Sequence, residues 1–404
     1  MGRHDSFIID AVRTPIGNFG GSLSKVRTDD LAAHVIKSLI GQHDFDPSII
    51  DDVILGCANQ AGEDNRNIAR MALLLAGLPI SVPGETVNRL CSSGMSAIIH
   101  AHRSIQAGDG DIFISGGVEN MTRGPWVISK SSKPFGRDSE MFDSSFGWRF
   151  INPNLNELYG TESMGQTAEN LAEKYSINRE DQDKFAYNSQ KKATNAQNNG
   201  RFAKEISPIK LPQRKAISIQ FDSDEFIKPD TNLEILSSLE AVFNKNGSVT
   251  AGNSSGINDG SAAMIIASEN GIDAHGLRPI ARIVSSAVVG VEPNIMGIGP
   301  VKATNRALKK AGLKMDQMDI IELNEAFAAQ SLACIRKWGL DDNDSRINPN
   351  GGSIAIGHPL GMSGTRIIQT AALELNIKSK KYAVATMCVG VGQGYSVIIE
   401  NINI

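Results

Sequence analysis

The sequence predicts an α/β fold made of two related halves, the first of them interrupted by a polar insertion. Three observations carry this expectation. Apolar strand patterns alternate with helical ones from the first residues, short motifs recur at one fixed offset, and the last two strand patterns, adjacent at the end of the chain, are far apart in the first half.

Taken in order, residues 7–12 read as a strand, 29–40 as a helix, 52–55 as a second strand and 67–75 as a second helix. This βαβ rhythm implies parallel strands covered by helices. A Pro- and Gly-punctuated extended segment, 82–87, then enters Asn88-Arg89-Leu90-Cys91-Ser92-Ser93-Gly94 and a helix over 92–106, followed by a strand at 111–115. Asp52-Val53-Ile54-Leu55 resembles Asp319-Ile320-Ile321-Glu322, and Ser93-Gly94-Met95-Ser96-Ala97 resembles Leu360-Gly361-Met362-Ser363-Gly364; both pairs lie 267 positions apart. Near the end, strand 382–387 runs through a glycine-rich turn into strand 395–400. The matching second strand of the first half is 260–266, so an insertion from about Thr122 to about Val249 separates it from 111–115. That insertion has polar helical patterns at 167–175 and 179–197. It also has a basic stretch, Arg201, Lys204, Lys210, Arg214 and Lys215 against Glu205 alone, which reads as a solvated face or as a site for a phosphate-bearing tail. The halves divide as 1–274 and 275–404.

Composition narrows the class. A chain of 404 residues with 41% hydrophobic, 21% charged and 5% aromatic content describes a soluble α/β enzyme rather than a disordered, fibrous or membrane protein. A net charge of −4 argues against nucleic acid as a partner, and no apolar run reaches membrane-spanning length. Residues 1–6 fit a loose myristoylation pattern, but a strand starting at Phe7 leaves no flexible anchor, so the match reads as chance. Without a signal, transit or peroxisomal sequence, the cytoplasm is expected. Cys57, Cys91, Cys334 and Cys388 are too widely spaced for a zinc or dithiol motif, so no metal is expected. Cys57 and Cys334 sit in apolar patterns and read as core.

Cys91 lies where an extended segment becomes a helix. Unpaired N–H groups and the positive end of the helix dipole favour a thiolate there; a buried structural cysteine is the plain alternative, and this segment leaves both open. His358 stands in the loop Asn348-Pro349-Asn350-Gly351-Gly352-Ser353-Ile354-Ala355-Ile356-Gly357-His358-Pro359, outside any regular apolar pattern, and a near-neutral histidine can take a thiol proton. If the halves are copies, Cys91 and His358 occupy nearly equivalent helix-entry turns and meet at one centre. Cys388 precedes Gly390, Gly392 and Gly394, but no helix follows to receive a pyrophosphate, which rejects a dinucleotide reading. A second thiol beside free backbone N–H groups suits proton exchange with carbon and an oxyanion hole. Asn324 ends a strand pattern before a helix; it reads as an N-cap, or as a further group at the same centre.

Over essentially its full length the chain resembles the thiolases. The resemblance is carried by 88–94, Gly116-Gly117-Val118-Glu119-Asn120-Met121, Ala251-Gly252-Asn253-Ser254-Ser255-Gly256-Ile257-Asn258-Asp259-Gly260, Asn324-Glu325-Ala326-Phe327, Gly357-His358-Pro359 and Cys388-Val389-Gly390. It implies a layered α/β/α/β/α fold of duplicated βαβαβ halves with an inserted loop domain, commonly a homotetramer (dimer of dimers). It also implies CoA-dependent cleavage of a 3-ketoacyl-CoA to acetyl-CoA, reversible as a Claisen condensation, with CoA as substrate and no tightly bound cofactor. Cys91 would be the acylated nucleophile, His358 its base, Cys388 the acid/base at carbon, and Asn324 the holder of an oxyanion-hole water. Backbone N–H of Cys91 and Gly390 would form the other oxyanion hole. Ser255 and Met164 match pantetheine contacts, and Lys228 stands where many members have an arginine near the CoA phosphates. Ser163 replaces a histidine of the biosynthetic acetoacetyl type, and Ser238-Leu239-Glu240-Ala241-Val242-Phe243 lacks the usual basic residue before its phenylalanine.

Residues 142–153 and Tyr159-Gly160-Thr161-Glu162-Ser163-Met164 are similar to thiolases that cleave 3-oxoadipyl-CoA, whose acyl chain ends in a carboxylate. Arg149 or Arg123 would pair with it, unless Arg149 is a structural ion-pair partner. Acetoacetyl-CoA and general fatty-acid 3-ketoacyl-CoA cleavage are the alternatives. Ketoacyl synthases of the same fold use a second histidine where this chain has Asn324 and Cys388, and a non-catalytic lipid carrier would not need all four site residues.

Overall fold

The computed structural model describes residues 5–211 and 219–404. In chain order the main elements of the first half are β1 (Ser6–Arg13), α1 (Thr28–Ile40), β2 (Asp52–Gly56), α2 (Ile68–Leu75), β3 (Gly84–Val87), α3 (Ser93–Ala107) and β4 (Ile112–Asn120). The chain then leaves the sheet, forms two small two-stranded sheets and the helices α4 (Met164–Lys174) and α5 (Arg179–Asn198), and returns as β5 (Asn258–Ser268). The second half comprises β6 (Ala281–Gly290), α6 (Gly299–Ala311), β7 (Ile320–Leu323), α7 (Ala328–Lys337), α8 (Leu360–Ile377), β8 (Tyr382–Val389) and β9 (Gln393–Glu400).

These strands form one sheet in the order β7-β8-β9-β6-β1-β5-β4-β2-β3, with the short strand Gly17–Asn18 paired to β5. Read outward from its middle, the sheet repeats the same chain order on each side: β1, β5, β4, β2 against β6, β9, β8, β7. The duplication expected from the offset motifs is therefore present. Among the described residues, only Phe7 and Ile8 pair with Arg282 and Ala281 across the junction.

Side-chain alternation along the strands builds the layers. Ile9, Val53, Leu55, Ile112 and Ile114 pack outward under α1 and α2, while Ile8, Ile54 and Phe113 face α3 and α8. In the second half Ala383, Ala385, Val397 and Ile399 join that same central core, and Ile321, Val384 and Ile398 face α6 and α7. The result is α/β/α/β/α, with α3 and α8 as the shared middle layer. They touch at equivalent glycines: a Cβ on Gly94 would stand 2.5 Å from the Gly361 carbonyl oxygen, and one on Gly364 would stand 2.5 Å from the Met95 nitrogen. This close approach brings two helix N-termini together, the one after Cys91 and the one after His358.

Three expectations need correction. The sheet is mixed, not parallel: β2 runs parallel to β3 and β4, and β7 to β8, but β8 and β9 are antiparallel. A three-residue turn joins β8 to β9, and so short a link can only reverse the chain; β4 and β5 repeat the pair with the insertion between them. The strand read at 111–115 extends to Asn120, because its glycines are packing sites rather than loop: a Cβ on Gly117 would stand 2.0 Å from the Gly361 oxygen. The basic stretch is not a free cationic face either. Arg201 is buried between Glu205 and Glu374, and Glu205 also takes Arg13 from β1, so these charges fasten the insertion to both halves. Arg214 and Lys215, like residues 1–4 of the myristoylation pattern, lie outside the described residues.

Candidate active site

Between β3 and α3 the chain turns within Asn88–Ser92. Ser92 N–H donates to the Arg89 carbonyl and Ser93 N–H to the Leu90 carbonyl, each at 3.0 Å, and Leu90 takes φ +47°, a backbone conformation that costs energy for a leucine. The turn is held by Arg89, whose guanidinium donates to Ser96 Oγ and Gln393 Oε1, both at 2.9 Å. Cys91 is thereby presented just ahead of α3, partly exposed as a residue. The backbone N–H groups of Cys91 itself and of Gly390 act on its sulfur in the direction that favours the thiolate.

Gly390 belongs to the β8–β9 turn, where Val391 and Gly392 have φ of +60° and +78°. A Cβ on Gly390 would meet Leu90 Cδ1 at 3.1 Å, so this turn rests directly against the one carrying Cys91. At the end of β8, Cys388 is buried among Ala326, Phe327, Met296 and the partly buried Met164. Burial holds its thiol well above the usual range.

Burial likewise pushes the Cys91 thiol up to about 11; the two N–H donors pull it down and the Glu119 carboxylate adds to the rise. Desolvation thus outweighs the pull of the helix N-terminus towards a thiolate, and the resting group is a thiol. The sign is testable. With the pKa raised, the thiolate fraction grows continuously with pH through the neutral range, so iodoacetamide inactivation should accelerate about tenfold per pH unit from pH 6 to 9. A flat rate over that range would mean a preformed thiolate–imidazolium pair.

His358 is set by a loop that only glycine permits. Gly357 has φ +106°, and a Cβ there would lie 2.6 Å from the Asn258 side chain, whose Oδ1 accepts from His358 N–H at 3.0 Å. His358 Nδ1 lies 2.6 Å from Ser363 Oγ, and that hydroxyl donates its proton to the Pro359 carbonyl at 2.8 Å. A hydroxyl has one proton, so Nδ1 must be the protonated nitrogen and Nε2 carries the lone pair. Burial, reinforced by the Arg366 cation, lowers the His358 pKa to about 3 rather than leaving it near neutral. The imidazole is neutral at rest.

Asn324 Nδ2 is 3.4 Å from His358 Nε2, and Ser353 Oγ fixes the amide by donating to Asn324 Oδ1 at 2.6 Å. The N-cap reading fails: α7 begins at Ala328 after Phe327, and Asn324 sits between strand and helix with its side chain turned to the histidine. Next to it, buried Glu325 accepts from Ser189 Oγ at 2.6 Å and Asn348 Nδ2 at 2.7 Å, joining the Asn324 segment to the insertion and to the glycine-rich loop. Sequence reasoning missed Ser353, Ser363, Asn258 and Glu325. All four lie inside the motifs named above, but nothing in spacing distinguishes a positioning side chain from its neighbours.

Cys91, Cys388, Gly390, Asn324 and His358 thus converge, although no hydrogen bond joins Cys91 to His358 among the described residues. Cys57 and Cys334 are core, as expected. Ser255 N–H donates to the Ala326 carbonyl at 2.9 Å, placing its loop beside the Asn324 segment. Met164 opens α4 next to Gly390, and Lys228 is exposed with its ammonium over the Phe226 ring. Arg123 is withdrawn as a carboxylate reader, since Glu63 already takes its guanidinium at 2.7 Å. Arg149 has no ion-pair partner among the described residues: its acceptors are the Ser144 carbonyl, and the carbonyl and side-chain oxygens of Asn59.

The family model "Thiolase, N-terminal domain" matches residues 6–270, and "Thiolase, C-terminal domain" matches residues 277–401. The chain belongs to the thiolase family. It is therefore an acyltransferase, which removes the lipid-carrier alternative. This thiolase is 55% identical over 399 residues to the 3-oxoadipyl-CoA/3-oxo-5,6-dehydrosuberyl-CoA thiolase of Escherichia coli K12, covering 98% of this chain and 100% of that protein. It is 54% identical over 401 residues to a beta-ketoadipyl-CoA thiolase of Acinetobacter baylyi, covering 98% and 99%. Among solved structures, human mitochondrial 3-ketoacyl-CoA thiolase matches with a TM-score of 0.90 at 40% identity, covering 98% of this chain and 99% of that one. That enzyme is also known in complex with CoA.

Proposed function

We propose that this thiolase cleaves 3-oxoadipyl-CoA with free CoA, giving acetyl-CoA and succinyl-CoA through an acyl-Cys91 intermediate. The observation that carries the mechanism is the contact between the Gly390 turn and the Cys91 turn, with the Cys388 thiol at the end of the adjoining strand and His358 paired to Asn324. The substrate reading is supported by relatives at 50–55% identity that bear 3-oxoadipyl-CoA or beta-ketoadipyl-CoA in their names.

In this mechanism His358 Nε2 takes the Cys91 proton as the sulfur attacks the C3 carbonyl. A neutral histidine and a neutral thiol form charge only at that moment, each stabilising the other. Oxygen at C3 becomes anionic against the N–H groups of Cys91 and Gly390. Breaking the C2–C3 bond leaves an acetyl-CoA enolate, whose oxygen faces His358 and a water held by Asn324, and the Cys388 thiol protonates C2. CoA thiol then gives its proton to the Cys388 thiolate and takes the acyl group, while protonated His358 returns its proton to Cys91. All three groups end as they began.

Ser255 and Met164 are the proposed pantetheine contacts and Lys228 a contact to CoA phosphate. CoA is a substrate on this reading, and no cofactor stays bound. Halves 1–274 and 275–404 with a loop domain near 122–249, assembly as a homotetramer, and a cytoplasmic location complete the proposal; no helix among the described residues is long and apolar enough to cross a membrane. CoA-dependent cleavage of 3-oxoadipyl-CoA, acetoacetyl-CoA and a medium-chain 3-ketoacyl-CoA tests it. The expected result is a kcat/KM at least about tenfold higher for 3-oxoadipyl-CoA. Preference for either other substrate would discard the dicarboxylate reading and keep the mechanism.

A further inference from the structure

We infer that Arg149 binds the terminal carboxylate of the acyl chain and so sets this thiolase's preference for a dicarboxylic substrate. The inference rests on the 3-oxoadipyl-CoA reading and names the residue that would produce it.

Arg149 is half-buried, and its guanidinium donates to the Ser144 carbonyl at 2.7 Å, the Asn59 carbonyl at 3.2 Å and Asn59 Oδ1 at 3.1 Å. All three acceptors are neutral, and Arg149 makes no ion pair among the described residues. These bonds fix the plane of the guanidinium yet leave two of its five N–H groups unassigned. The neighbouring arginines are engaged: Arg123 and Arg27 share Glu63, and Arg89 is held by Ser96 and Gln393. A partly desolvated, oriented cation lacking a counter-charge is costly to keep unless something supplies that charge. A planar carboxylate matches it.

Its position relative to Cys91 follows from a chain of contacts. Asn59 is next to Ala58, whose carbonyl accepts from Asn88 Nδ2 at 2.9 Å; Asn88 Oδ1 in turn accepts from Leu90 N–H at 2.9 Å, one residue before Cys91. Both Ala58 and Asn59 are pinned through their N–H groups to the buried Glu119 carboxylate, which also takes Gly361 N–H just after His358. On the other side, Trp148 Nε1 donates to the Glu162 carbonyl at 3.2 Å, and Trp148 lines a small cleft with Met164 and Val391, the residues beside Gly390. One anchor of the loop is thus linked to the Cys91 turn and the other lies beside the Gly390 turn. Phe142 and Phe150, edge to face at 5.0 Å, close the base of that loop. In a 3-oxoadipyl chain only two methylenes separate the attacked carbonyl from the carboxylate, so its cation must belong to the wall around the nucleophile. A longer apolar chain would leave the guanidinium unpaired.

The test measures kcat/KM for 3-oxoadipyl-CoA and acetoacetyl-CoA with wild type, Arg149→Ala and Arg149→Lys. Wild type that does not prefer 3-oxoadipyl-CoA overturns the substrate reading and this inference with it. Where wild type does prefer it, Arg149→Ala should lower kcat/KM for 3-oxoadipyl-CoA about 100-fold and leave acetoacetyl-CoA within about threefold. Arg149→Lys should recover part of the loss, because a point charge replaces the fork. Equal loss on both substrates in both variants would make Arg149 a structural support of the loop, and no loss on either would make it a bystander; both results overturn the inference while the 3-oxoadipyl-CoA reading stands.

Discussion

Replacing Cys91 with alanine should lower CoA-dependent cleavage of every 3-ketoacyl-CoA by at least about 10⁴-fold while leaving the fold intact. The size follows from the division of labour. Cys91 is the atom that becomes acylated, so its loss removes the pathway itself rather than weakening a contact. Stability should change little, because Cys91 packs at the edge of the central core and is partly exposed, and the turn around it is held by Arg89, Ser93 and Asn88. Denaturant unfolding beside the assay separates the two outcomes. A variant that keeps more than about a tenth of wild-type turnover would remove the nucleophile from the account.

Cys388→Ala should lower carbon–carbon cleavage by about 10²- to 10⁴-fold and yet spare acyl exchange. Burial keeps the Cys388 thiol protonated at neutral pH, which is the state needed to deliver a proton to C2 of the departing enolate. Transfer of an acyl group between a simple acyl-CoA and Cys91 makes or breaks no carbon–carbon bond. In exchange of labelled CoA into acetyl-CoA the Cys388 thiolate only takes the CoA proton, a task water can fill, so exchange should remain within about tenfold of wild type in Cys388→Ala and vanish in Cys91→Ala. Equal loss of both reactions in Cys388→Ala would give this thiol a structural role, packing Phe327 and Met164, in place of the chemical one.

Much of this was readable in the sequence because duplication writes itself as an offset. The 267-residue spacing placed Gly94 opposite Gly361, and the structure has these two positions in contact at the meeting of α3 and α8. The site residues were legible for the same reason: each sits where a strand or a glycine-rich loop hands over to the next element. Charge state was not. A helix N-terminus argues for a thiolate and a loop histidine for a near-neutral pKa, yet the packing of the middle layer desolvates both and reverses the directions. Glycines misled in the same way: the strand pattern stops before Gly116 and Gly117, yet a Cβ on Gly116 would meet β5 at Ala262 and one on Gly117 would meet α8 at Gly361. Long-range partners were equally invisible: the Glu63 that takes Arg123 stands 60 residues away, and Asn59 that holds Arg149 stands 90 away.

The most direct measurement is the intact and peptide mass of the enzyme mixed with 3-oxoadipyl-CoA in the absence of free CoA. With no acceptor for the second half-reaction, the account predicts release of acetyl-CoA and one succinyl group on the peptide containing Cys91, lost on adding CoA and absent in Cys91→Ala. Stoichiometric acetyl-CoA release with no adduct on Cys91, or an adduct carried by Cys388, would contradict it.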